Sequence, residues 1–142
     1  MQGFTGLDCG LEKEPSGIFL TKVRVDRFPT RTETGSAWDL VSGADIYIVI
    51  KYAGEVVYMH PSFIENAPLG KTHFFEIQNN FSFNEPLGRY EILLYDFDDL
   101  DSDDLMGGIE FIPYRKGDLF PREKTLDTIG NVAFEVSLEY VF

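Results

Sequence analysis

Hydrophobic and polar residues alternate in short runs along this chain, and clusters of Gly, Pro, Ser and Asn separate the runs. IFLTKVRVDRF (18–28) sets Leu20, Val23 and Val25 among Lys22, Arg24 and Asp26. A period of two places alternate side chains on opposite faces of a strand. DIYIVIKY (45–52) is β-branched and aromatic, and EVVYMH (55–60) follows it across Ala53-Gly54 as its hairpin partner. KTHFFEI (71–77), RYEILLYDF (89–97) and GGIEFIPY (107–114) read as further strands. The clearest is NVAFEVSLEYVF (131–142), where Ala133, Glu135, Ser137 and Glu139 alternate with Val132, Phe134, Val136, Leu138 and Tyr140. No window carries a 3.6-residue apolar stripe with caps. The pattern predicts an all-β fold, a single antiparallel sandwich of eight strands. Residues 1–17, with four glycines and one proline, predict a flexible N-terminal tail, and 18–142 the domain.

Composition agrees with a packed core. The chain has 142 residues, 44% of them hydrophobic, with 13 Phe and 7 Tyr, which suits one domain and excludes a disordered chain. Its 24 acidic and 12 basic residues leave a net charge of −12, which repels nucleic acid and disfavours docking on an anionic membrane by charge alone. No run reaches the ~18 apolar residues of a membrane span. The single cysteine, Cys9, cannot form an internal disulfide and reads as an ordinary thiol in the tail. The domain is expected to be monomeric.

Charge is concentrated in YDFDDLDSDDLMGG (95–108), where six aspartates fall between positions 96 and 104. Unit charges ~4 Å apart repel by ~1 kcal/mol in water and by several times that near a protein surface. Such a loop opposes its own folding unless a hard cation with oxygen ligands offsets the charge. Asp99, Asp101, Asp103 and Glu110 fall at positions 1, 3, 5 and 12 of an EF-hand loop, but Asp104 stands where that loop needs Gly. The flanks also read as strands where an EF-hand needs helices.

A second pattern draws on a distant segment. In SAWDLVSGADIYIVI, Asp39 and Asp45 are six residues apart and Tyr47 follows two later. In the acidic loop, Asp96 and Asp98 are two apart, Asp104 lies six beyond Asp98, and Gly107 follows. These paired spacings, D-x5-D-x-Y and D-x-D-x5-D-x-x-G, resemble the C2 domain family, β-sandwiches whose end loops bind calcium. The resemblance covers roughly 18–142. It implies Ca²⁺ as cofactor, held by Asp39, Asp45, Asp96, Asp98 and Asp104 with the backbone carbonyls of Leu40 and Phe97. Asp101 would serve an extra ion. The strand order looks like the family's permuted arrangement, in which the strand that begins some C2 domains ends this one. Trp38 and Val41 beside the first loop, and Leu100 in the third, are the expected contacts with a phospholipid surface or a protein partner. The chain departs from the family at EVVYMHPSF, which has no Lys or Arg where a basic strand is usual. NNFSFNEP keeps only Phe83, Asn84 and Glu85 of the N-P-x-W-N-E signature.

Enzyme chemistry has little support. His60 and His73 read as structural, no G-x-S-x-G elbow exists, and Cys9 lies in the tail. The expected function is therefore a non-enzymatic calcium-binding module for calcium-dependent docking. The alternatives are a calcium-stabilised structural or adhesion module, or a carbohydrate-binding accessory module, of an exported bacterial protein.

Overall fold

The computed structural model describes residues 3–5, 11–29, 43–68, 70–99, 102–127 and 132–142. Ten strands are present: β1 (Phe4–Thr5), β2 (Leu11–Glu12), β3 (Gly17–Arg27), β4 (Ile46–Tyr52), β5 (Glu55–Met59), β6 (His73–Phe83), β7 (Tyr90–Asp96), β8 (Asp104–Phe111), β9 (Glu123–Asp127) and β10 (Ala133–Val141). Eight of them form two four-stranded antiparallel sheets, ordered β6-β3-β10-β9 and β5-β4-β7-β8. The predicted eight-stranded sandwich is the fold, and no helix occurs among the described residues.

The inward faces follow the alternation. Ile18, Leu20, Val23 and Val25 of β3 meet Ile46, Ile48 and Ile50 of β4, with Phe75, Phe83, Ile92, Leu94, Phe134 and Val136 between the sheets. Fully burying each such side chain is worth ~1.5–3 kcal/mol. The β4–β5 hairpin turns on Ala53 and Gly54, both at positive φ, as a two-residue loop whose twist matches its strands requires. In β6 the ladder to β3 jumps from Leu20↔Phe81 to Lys22↔Glu76, and Asn79 and Asn80 within the bulge adopt positive φ. Asn tolerates that conformation, so β6 continues to Phe83, six residues past its expected end at 77.

β8 begins at Asp104, three residues before its expected start, and its register with β7 shifts between Leu94 and Tyr95. Gly107 and Gly108 therefore sit inside the strand and not at its start. Gly108 lies opposite Leu93, and a Cβ there would overlap the Leu93 side chain and crowd the Ile92 carbonyl. β9 was not expected: an edge strand of sequence EKTLD pairs only with β10 and stays largely exposed, so it carries little apolar signal.

The described part of the expected tail is held against the domain. β1 pairs with β2, Gly3 packs on the Phe120 ring, and Glu12 accepts hydrogen bonds from Tyr114 Oη (2.9 Å) and Gly117 N (2.8 Å). Cys9 lies outside the described residues.

Candidate metal centre

Strand directions bring three connections to one end of the sandwich. Val25 of β3 pairs with His73 at the start of β6, so the exit of β3 lies beside the 60–72 connection. That connection meets the approach to β4: Ala67 N donates to Ala44 O (2.8 Å), Asn66 N donates to Asp45 Oδ1 (2.8 Å), and Ile46 and Ile64 exchange backbone bonds. β4 in turn pairs with β7, setting Ile46 opposite Asp96, and Phe97 N donates to Asp45 O (2.8 Å). The 97–103 connection leaves from there.

Asp96 occupies the last inward position of β7, in series with Tyr90, Ile92 and Leu94, and is 1% exposed. A carboxylate thus stands where the alternation calls for an apolar side chain. Asp45 N donates to its Oδ1 at 2.8 Å. Directly across the β7–β8 ladder is Asp104, exposed at the start of β8. Paired residues in an antiparallel ladder present their side chains to the same face, and like charges placed so are destabilising. Asp98 is half-buried, and its N–H donates to Asp103 Oδ1 at 2.9 Å. The other oxygen of Asp103 accepts from Tyr47 Oη at 2.6 Å. Burial, and then this bond, hold the Tyr47 hydroxyl well above the ordinary tyrosine range. The Phe97 ring stacks on Phe63 with centroids 4.6 Å apart, which ties the exit of β7 to the segment that follows β5.

Of the expected metal residues, Asp45, Asp96, Phe97, Asp98 and Asp104 lie at this end. Asp39, Leu40 and Asp101 lie outside the described residues, as do the expected contact residues Trp38, Val41 and Leu100. Among the described residues no three acidic, His or Cys side chains converge into one metal-holding group. What the described residues supply is the wall of a cup: a nearly inaccessible carboxylate, a second opposite it, and a third strand end bonded to the first. Every donor here is oxygen, which suits a hard cation such as Ca²⁺ and not a soft one.

Two participants lie outside the paired C2-like spacings. Asn66 supplies a backbone donor that orients Asp45, and nothing in its residue type announces this. Asp103 bridges Tyr47 and Asp98. Its neighbours in sequence are equally acidic, so composition could not single it out. Both histidines make backbone contacts: His73 Nε2 lies 2.9 Å from Pro68 O, and the His60 ring nitrogens lie 2.8 Å from Ser62 O and 3.1 Å from Glu76 O.

The sandwich is C2-like in its fold. A solved C2 domain superposes with a TM-score of 0.61 at 16% identity, covering 89% of this chain and 98% of that one. A C2 domain of plant extended synaptotagmin 1 gives 0.53 at 19% identity, covering 91% and 97%. Human group IVD cytosolic phospholipase A2 gives 0.50 at 20% identity, covering 90% of this chain but 18% of the enzyme, so the likeness extends to a small part of that protein. No protein-family model and no curated protein sequence matches the chain.

Proposed function

We propose that this C2-like domain is a non-enzymatic module that binds Ca²⁺ at its acidic end and docks, in the calcium-loaded state, on a phospholipid surface or a protein partner. The observation that carries the reading is Asp96: a carboxylate on the core face at the rim of the sandwich, with Asp104 opposite and Asp45 bonded to it. Asp45, Asp96, Asp98 and Asp104 would hold the ion together with Asp39, Asp101 and the carbonyls of Leu40 and Phe97. Bound calcium supplies positive charge that offsets the repulsion among these carboxylates. Asp45 would then tie the first loop to the third through its backbone, while its own carboxylate stays oriented by Asn66. Trp38, Val41 and Leu100 would meet the target.

Calcium titration by calorimetry, followed by co-sedimentation with phosphatidylserine-containing liposomes, tests this. Heat of binding and calcium-dependent pelleting are expected. A raised melting temperature with calcium but no pelleting and no protein capture would favour a calcium-stapled structural module instead, because a ligand selective for the folded state stabilises it. An absence of any calcium response would end the reading.

A further inference from the structure

We propose that the Tyr47–Asp103 hydrogen bond fixes Asp98 beside the start of β8, making Asp103 a positioning residue and not a donor to the ion. The inference rests on the calcium reading above and concerns a residue that the motif spacing leaves aside.

The bond has a long reach. Tyr47 on β4 pairs with Tyr95 on β7, and Tyr95 pairs with Leu105 on β8. Asp103 immediately precedes β8, so its bond to Tyr47 spans the width of three strands and crosses over β7. The two tyrosine rings stack at 5.6 Å with a 20° interplanar angle, which fixes the position from which the hydroxyl reaches. On its other oxygen Asp103 accepts the Asp98 N–H, tying Asp98 to the residue that precedes β8. Both carboxylate oxygens of Asp103 are thereby engaged by fixed donors that stabilise its charge without a cation. Among the described residues no such pair of donors falls on Asp104, which is exposed.

Within this frame Asp98 receives its orientation through its own backbone. Releasing the connection at Tyr47 frees Asp98 to explore other conformations, and the ion must then order it on binding. The preorganisation is lost without any ligand being removed.

The test uses the full chain with Tyr47→Phe, Asp103→Asn and the double variant. Amide hydrogen exchange of metal-free protein reads the latch alone. Calcium calorimetry reads its consequence. In Tyr47→Phe, exchange at the Asp98 amide is expected to rise by roughly tenfold and calcium affinity to fall by a similar factor, consistent with losing one bond to a charged acceptor. Asp103→Asn should match Tyr47→Phe and fall well short of Asp98→Asn. The double variant should be no worse than the more affected single one, because the two residues act through one bond. Wild-type exchange at Asp98 in Tyr47→Phe would overturn the proposal, as would unchanged calcium affinity there. An Asp103→Asn loss as large as that of Asp98→Asn would make Asp103 a ligand. If the wild-type chain takes up no calcium, the calcium reading fails on its own, and Asp98 exchange still decides whether the latch exists.

Discussion

The two ends of the sandwich handle carboxylates in opposite ways. At the end away from the acidic loop, Glu12 lies against Tyr114 Oη and Gly117 N, two donors supplied by the chain itself. Around it Phe120 packs edge-on against Phe4, Tyr140 and Phe142 and stacks on Tyr114 at 5.7 Å. Phe120 and its neighbour Leu119 hold positive φ, a strained conformation for such residues that the ring contacts compensate. At the acidic end, Asp96 and Asp104 face each other across a ladder, where like charges weaken pairing. One end closes with internal donors and rings, while the other concentrates like charge that an external cation can relieve. Under the proposed calcium reading, that difference separates the end that stabilises the fold from the end that would bind.

Breaking the aromatic end should have the largest effect. Phe120→Ala is expected to cost about 3 kcal/mol, at the low end for a phenylalanine truncation because the ring is only partly buried. Urea unfolding would measure it, and calcium affinity should be unchanged. A fall in calcium affinity equal to that of an acidic-end variant would abolish the distinction between the ends. Asp98→Asn should then lower calcium affinity by about a hundredfold or more, roughly 2.8 kcal/mol, with little change in the melting temperature of metal-free protein. Unchanged affinity in calorimetry removes Asp98 from the site.

Alkali should act through the aromatic end. Burial pushes Tyr114 up to about 12, with the bond to Glu12 adding to the effect, and burial likewise pushes Tyr140 up to about 12. The native state holds these protons more tightly than the unfolded state, in which tyrosine ionises near pH 10. Their contribution to stability is therefore complete below pH 10 and is lost as pH climbs through about 12. Chemical unfolding at pH 9, 10 and 11 should show the decline, shallower in Tyr114→Phe; an identical slope in that variant would exclude Tyr114 as a source. The smallest effect belongs to Asp104→Asn. Removing one member of the facing pair should stabilise metal-free protein by ~0.2–1 kcal/mol while weakening calcium binding. If the variant is less stable without calcium, the repulsion ascribed to that pair is not felt.

Much of the fold was legible because burial on one face leaves a period-two trace. β3, β4, β7 and β10 were marked by alternation or by β-branched and aromatic runs, and each lies within its sheet with both neighbours paired. β9 was missed because an edge strand, half exposed, needs few apolar residues to form. The early start of β8 was missed because Asp104 belongs to the acidic run and Leu105 is exposed, so Met106 alone turns inward before the glycines. The N-terminal stretch read as a tail because its glycines carry no period, yet Gly3 is buried where its lack of a side chain admits the Phe120 ring.

For the candidate site, the resemblance to C2 domains brought forward Asp45, Asp96, Asp98 and Asp104, which the structure sets at one end of the sandwich. Residue types alone determined that this chain is an acidic, aromatic β-sandwich with oxygen donors concentrated in two segments. Tertiary structure decided the rest: that Asp96 is buried opposite Asp104, that Asn66 orients Asp45, and that Asp103 is spoken for by Tyr47. Those are relations between strands far apart in the chain, set by register and by which sheet each strand joins. A linear pattern records the period of a strand but not its neighbours.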